Sequence, residues 1–278
     1  MPATEAQRGY GAMLIAFVRL TLAKLVREPM HSHRAHARRY LARRFLLLSV
    51  ALAAVILVLM FLLDAWGIGL MPAYGTASLW PIRIVTAFGK SSYVLMLLGA
   101  LLIVIALIAP RLRATSRTVL MSFGTRVLYV FFAVLVPVIA GELLKGLFGR
   151  GRPFVGGEAN AFNFVYFSWS EAYASFPSGH SITGFALAFA VATVWPRLTG
   201  VMVAYALVIG ASRLVLLAHH PSDVVAGALT GVVGAMVVRY WFAARRLGFA
   251  IGSDGTIRAL PGPSADDLKR VARQAFAP

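Results

Sequence analysis

The chain has 278 residues, 59% of them apolar, and a mean hydropathy of +0.78; soluble domains hold roughly half apolar residues, so an ordinary water-soluble fold is excluded. Its formal charge of +17, from 27 Lys and Arg against 10 Asp and Glu, would suit a nucleic-acid partner, but membrane topology already accounts for the excess, and no nucleic acid is expected. There is no cysteine, which removes disulfide and thiolate chemistry.

About 44 residues rich in cations precede the first long apolar run. That is too long for the charged start of a cleavable signal, so the first run is expected to stay in the protein. Within this segment, residues 11–27 interleave apolar groups with Arg19, Lys24 and Arg27 on one arc of a helical wheel. Such a helix can lie on the cytoplasmic leaflet with its cations at anionic headgroups, or pack on the rest of the protein; both readings fit. His31, His33 and His36 follow in a basic stretch without a carboxylate or thiolate to complete a metal site, and are read as solvated.

A bilayer core of about 30 Å needs about 20 apolar residues per helix. Six runs approach this: residues 45–63, 92–108, 127–147, 180–195, 200–217 and 222–241, of which the fourth is short. Most cations fall before the first run, between the second and third, between the fourth and fifth, or after the sixth. Only Arg83, Lys90, Lys145, Arg150, Arg152 and Arg213 fall on the other side. The positive-inside rule then places both termini in the cytoplasm. The predicted fold is an all-α polytopic membrane protein with six transmembrane helices, divided into a basic segment (1–44), a membrane domain (45–245) and a cytoplasmic tail (246–278). In the sixth run Gly227, Gly231 and Gly234 permit close helix packing. Beyond it, Gly252-Ser253-Asp254-Gly255 reads as a turn, and Ser264 with Asp267 as a capping box opening a short helix.

Three polar clusters interrupt this apolar pattern: Lys145, six residues, Arg152-Pro153; Pro177-Ser178-Gly179-His180; and Ser212-Arg213, five residues, His219, three residues, Asp223. The predicted topology puts all three on the outer face. Ionisable groups beside membrane spans cost about 2.5–3.5 kcal/mol at a helix centre, and five of them on one face imply a function. Lys145, Arg152 and Arg213 offer a point charge and two planar forks suited to a tetrahedral oxyanion. Ser178 at a helix cap would aim the N–H groups of Gly179 and His180 at the same anion. His219 and Asp223, four apart, would share a face, the carboxylate fixing the tautomer that leaves one ring nitrogen as a nucleophile. His180 could protonate the leaving group. His220 is the poorer nucleophile, because one step along a helix from His219 turns it about 100° away from Asp223, and Glu142 is expected to pair with Lys145.

These clusters resemble the three-part signature of the type 2 phosphatidic acid phosphatase superfamily, matched at every position. The resemblance implies a six-helix membrane phosphatase that needs no metal or other cofactor. In it His219 attacks phosphorus, Asp223 orients it, and His180 protonates the leaving group, while Lys145, Arg152, Ser178, Gly179 and Arg213 hold the phosphate. An outward site at the bilayer rim suits a lipid phosphate or diphosphate whose tails stay in the membrane, since extraction costs about 0.8 kcal/mol per CH₂. The expected protein is therefore a lipid phosphatase of the bacterial inner membrane acting on its outer face, through a phosphohistidine. Phosphatidate, phosphatidylglycerophosphate, polyprenyl diphosphate and the lipid A phosphate are the candidate substrates. Its alternative is a phosphotransferase that passes the phosphoryl group to another hydroxyl. Residues 154–176 carry eight aromatics, read either as an interfacial belt or as a lid that selects the lipid; Glu158 and Glu171 there could meet a headgroup.

Overall fold

The computed structural model describes residues 9–29 and 32–275; His31 and the chain ends lie outside them. The chain is mostly helical: α1 (Tyr10–Val26), α2 (Arg34–Leu62), α3 (Asp64–Gly69), α4 (Trp80–Ala87), α5 (Ser91–Ile108), α6 (Ala114–Phe148), α7 (Gly179–Val194), α8 (Thr199–Val215), α9 (Pro221–Ala244) and α10 (Ala265–Ala275). A two-stranded antiparallel hairpin, β1 (Phe249–Ile251) and β2 (Ile257–Ala259), separates α9 from α10. Five segments are long and apolar enough to cross a membrane: Arg34–Leu62, Ala77–Arg111, Ala114–Phe148, Pro196–Val215 and Pro221–Ala244. The sixth apolar helix, α7, has 16 residues and is shorter.

Two helices extend well before the apolar runs they contain: the runs begin at residues 45 and 127, whereas α2 begins at Arg34 and α6 at Ala114. Arginine, alanine and leucine are all good helix formers, so charge ends the apolar stretch without ending the helix. Both α3 and α4 lie where no helix was expected, between the first two runs.

The residues fall into two compact units. One comprises the described parts of Met1–Tyr40, Leu97–Phe131 and Arg239–Pro278. Its core joins Ile105, Ala109, Leu112, Leu120, Val127 and Val271, with Phe17 of α1 packed against them. Edge-on contacts of Tyr129 with Phe242 (5.5 Å) and Phe249 (4.7 Å) extend this packing. The predicted turn closes the hairpin, with Gly255 at φ 80° and Asp254 accepting from the Thr256 N–H at 3.0 Å. The capping box forms reciprocally, Asp267 N–H donating to Ser264 Oγ and Ser264 N–H to Asp267 Oδ2, both at 3.1 Å.

The other unit, Leu41–Met96 with Phe132–Val238, holds all three polar clusters. Here α9 lies so close to α7 that a Cβ on Gly227 would sit 2.5 Å from the Ser178 carbonyl oxygen. One on Gly231 would sit 2.5 Å from that of Ile182. Pro137 in mid-α6 packs against Gly234 in the same manner. A Gly231→Val substitution is expected to cost about 1–3 kcal/mol by overpacking, read as a lower thermal unfolding midpoint; an unchanged midpoint would show that the helices can separate freely.

Candidate active site

Each cluster is placed by a local backbone device. The first begins on the last turn of α6, where Lys145 makes the expected ion pair with Glu142 at 2.6 Å. The helix then stops at Gly149, whose φ is 53° and where the Val165 carbonyl oxygen occupies the place of a Cβ. Only glycine fits both demands. Beyond it the chain pairs with the aromatic loop, Val165 N–H donating to Gly149 O and Gly151 N–H to Asn163 O, both at 2.8 Å. Arg150 turns fully inward, and Arg152 remains one-third exposed with Glu171 at 3.4 Å.

The second cluster opens α7. Ser178 occupies the N-cap position, but its hydroxyl makes no cap bond and instead accepts from Ser181 Oγ at 3.1 Å. Its backbone N–H donates to the Asp223 carbonyl oxygen at 3.0 Å, tying the start of α7 to the first turn of α9. The absence of a side chain on Gly179 leaves room for the Lys145 ammonium, which lies 3.0 Å from where a Cβ would be. His180 follows, its buried Nε2 without a hydrogen-bond partner among the described residues.

The third cluster spans the end of α8 and the start of α9. Arg213, buried in the last turn of α8, donates from Nη1 to Thr86 Oγ1 of α4 at 2.9 Å. Leu217 then takes a left-handed φ of 51°, reversing the chain. Pro221 stands at the first position of α9, which its fixed φ favours. Asp223 reaches back to the His220 N–H at 2.8 Å, in the manner of a capping box.

His219 is not hydrogen-bonded to Asp223, as the four-residue spacing suggested: its Nδ1 is 3.9 Å from Asp223 Oδ2 and 2.8 Å from the Ser175 carbonyl oxygen. A carbonyl can only accept, so Nδ1 carries the proton and the Nε2 lone pair is left available. Ser175 thus does for the tautomer what Asp223 was expected to do, while Asp223 contributes its field. Burial pushes the His219 imidazole well below its usual pKa against the pull of Asp223, so the ring is neutral.

His220 is the histidine nearer the carboxylate, with Nδ1 3.2 Å from Asp223 Oδ2. The helical-step argument against it fails because both histidines precede α9. His220 is fully buried, whereas His219 keeps 4% exposure. Arg152 and Arg213 act electrostatically on His219, and these two with Lys145 and Lys90 act on His180. A cavity of about 790 Å³ opens beside Arg152 and Arg213, with Arg83 also lining it.

Four residues of the site carried no motif: Asp64, Arg150, Ser175 and Ser222. Arg150 donates to Asp64 Oδ2 (2.7 Å), Asp223 Oδ1 (2.6 Å), Ser222 Oγ (2.6 Å) and the Ala161 carbonyl oxygen (2.6 Å). Ser175 Oγ donates to Asp223 Oδ2 at 2.6 Å, and Ser222 N–H to Asp64 Oδ1 at 2.9 Å. Asp64, Arg150 and Asp223 are all 0% exposed. The one available signal was Asp64, a lone carboxylate ending an apolar run.

The aromatic loop is partly seated. The Trp169 ring lies directly on Gly146, Phe162 meets Phe61 at 4.9 Å, and Phe176 meets Phe148 at 5.2 Å. Tyr166, Phe167 and Trp169 nonetheless present more than half of their surface. Phe154 and Phe167 hold left-handed φ values of 62° and 59°, a strained conformation for an aromatic residue.

Cations, a helix N-terminus and a buried histidine gathered at one place suit a phosphate-like anion. Residues 126–247 match the PAP2 superfamily. It is similar to the lipid A 1-phosphatase of Rhizobium johnstonii, 38% identical over 127 residues that make up 46% of this chain and 52% of the relative. It is also similar to the putative undecaprenyl-diphosphatase YbjG of Escherichia coli, 34% identical over 114 residues, 40% and 54% of the two chains. A third relative is the bacitracin transport permease protein BcrC of Bacillus licheniformis, 32% identical over 117 residues, 42% and 55%. The chain spans about half the length of the curated relatives it matches. No solved structure matches it.

Proposed function

We propose that the protein is an integral membrane lipid phosphatase that works through a phosphohistidine. The observation that carries this reading is the His219 Nδ1 bond to the Ser175 carbonyl oxygen, which leaves Nε2 as a lone-pair donor beside Arg152 and Arg213. In the first step a bond forms from Nε2 to phosphorus as the bond from phosphorus to the lipid oxygen breaks. His180 supplies the proton that the departing oxygen needs. In the second, water attacks the phosphohistidine, gives its proton to His180, and releases phosphate and a regenerated His219. Lys145, Arg152, Arg213 and the N-terminus of α7 with Ser178 and Gly179 hold the phosphoryl oxygens, where the developing negative charge is stabilised. These cations supply the positive charge that a metal would otherwise bring, which supports a metal-independent reaction.

The same reading has α7 as a sixth span, both termini in the cytoplasm, and the site on the outer face of a bacterial inner membrane. The scarcity of cations flanking the clusters supports this orientation. For the substrate, Arg83 and the size of the cavity beside Arg152 favour a headgroup larger than one phosphoryl group. A sugar phosphate such as that of lipid A, or a polyprenyl diphosphate, meets that requirement, in line with what the relatives' names state of them.

The test is inorganic phosphate release by purified, EDTA-treated protein in detergent, offered lipid A, undecaprenyl diphosphate, phosphatidate and phosphatidylglycerophosphate in turn. Release from at least one, with an acid-labile phosphoenzyme in a rapid quench, is expected. Transfer of the phosphoryl group to an added hydroxyl acceptor without phosphate release would replace the hydrolase with a phosphotransferase.

A further inference from the structure

We propose that a second anion site, separate from the catalytic cluster, binds the phosphate of an anionic phospholipid headgroup. It is a cavity of about 350 Å³ in the unit that contains α1, the first part of α6 and the hairpin. Lys24, Arg27, Arg126 and Arg246 line it with Ser122 and Thr125, and no carboxylate lines it among the described residues. An anion in the cavity would supply the counter-charge that its described lining lacks.

The cavity is built rather than incidental. Arg126 is 5% exposed, and its guanidinium is fixed by four acceptors: Ser122 O, Ser122 Oγ, Leu260 O and Pro261 O at 2.7–2.8 Å. Arg27 donates from Nη2 to the Arg245 carbonyl oxygen, yet its Nε is buried without a hydrogen-bond partner among the described residues. Arg246 holds a φ of 55°, where glycine or asparagine is favoured and arginine is not. The forks of Arg27 and Arg246, with the Lys24 ammonium, suit a phosphate oxyanion, while Arg126, held by its four acceptors, contributes charge.

The flank of the cavity points to a lipid as the source of that phosphate. Phe17 of α1 packs inward, but Ile15, Leu20, Leu22 and Val26 are each more than half exposed. Of these, Leu20 lies on the same arc of α1 as Lys24 and Arg27, so an apolar side chain and two cations are presented together, as acyl chain and headgroup would require. None of the lining residues belongs to the catalytic cluster, so this inference stands or falls apart from the proposed reaction.

The experiment measures binding of dioctanoyl-phosphatidylglycerol, dioctanoyl-phosphatidylcholine and inorganic phosphate to the purified full-length protein in a neutral detergent. Wild type is compared with Lys24→Gln, Arg246→Asn and the double variant. Asparagine tolerates the left-handed conformation, so Arg246→Asn should keep the wild-type unfolding midpoint while losing the charge. Saturable binding of phosphatidylglycerol but not phosphatidylcholine is expected, weakened about fivefold by each substitution and about 25-fold by the pair. Equal phosphatidylglycerol affinity in wild type and the double variant would overturn the site. Displacement of phosphatidylglycerol by inorganic phosphate at comparable concentration would overturn the lipid as its ligand and leave a soluble phosphate instead.

Discussion

Replacing His219 with alanine is expected to lower the rate of phosphate release by about 10⁴-fold or more, the scale on which loss of a nucleophile acts in enzymes whose remaining groups still bind substrate. The residual rate would reflect direct attack of water in a pocket still furnished with Lys145, Arg152 and Arg213. Combining this change with His180→Ala should cost little beyond the larger single effect, because both residues serve the same step. The neutrality of His219 adds a second readout. Its pKa is depressed by burial, so lowering the pH through the ordinary histidine range near 6.5 leaves its lone pair free. With p-nitrophenyl phosphate, whose leaving group needs no proton, phosphoenzyme formation should be level between about pH 7.5 and pH 5.5. A fall centred near pH 6.5 would mean that the His219 ring is solvated like an ordinary surface histidine. An unaltered rate in His219→Ala would remove it from the reaction altogether.

Arg150→Met is expected to be the most damaging change outside the motifs. It leaves the Asp64 and Asp223 carboxylates buried without their shared cation, at a cost of about 3–5 kcal/mol. Net stabilities are commonly about 5–15 kcal/mol, so the loss should appear as a large drop in the thermal unfolding midpoint. Arg150→Lys should rescue poorly, since one ammonium cannot bridge Asp64, Asp223, Ser222 and the Ala161 carbonyl as the guanidinium does. Removing one surplus charge with Asp64→Asn in the Arg150→Met background should restore part of the midpoint. That non-additivity is the signature of a coupled network. An Arg150→Met protein as stable as wild type would dismiss the network as a source of stability.

The motif residues were legible in the sequence because their spacings are short and their chemistry unusual beside apolar runs. Asp223 was legible as a site residue but not as a partner. The bond that fixes His219 comes from the backbone carbonyl of Ser175, and every residue has a carbonyl. Arg150 was hidden in the spacer between Lys145 and Arg152, indistinguishable from a solvated cation until Gly149 turned it inward. Asp64, 86 residues earlier, had no sequence relation to it at all. The fold was legible where apolarity and helix coincide, as in α5, α8 and α9. The helix starts were not legible where the two part, as at Arg34 and Ala114, since hydropathy reports the solvent of a segment and not its backbone conformation.

The buried triad of Asp64, Arg150 and Asp223 also constrains how the chain can mature. Its members sit 86 and 73 residues from the central arginine, so during synthesis Asp64 and Arg150 exist before the residue that completes them. Until α9 is in place, Arg150 lacks Ser222 and Asp223, two of its four hydrogen-bond partners, and a buried charge that is incompletely paired is costly. The last apolar helix to be made therefore acts as a closing step for the unit that holds the three polar clusters.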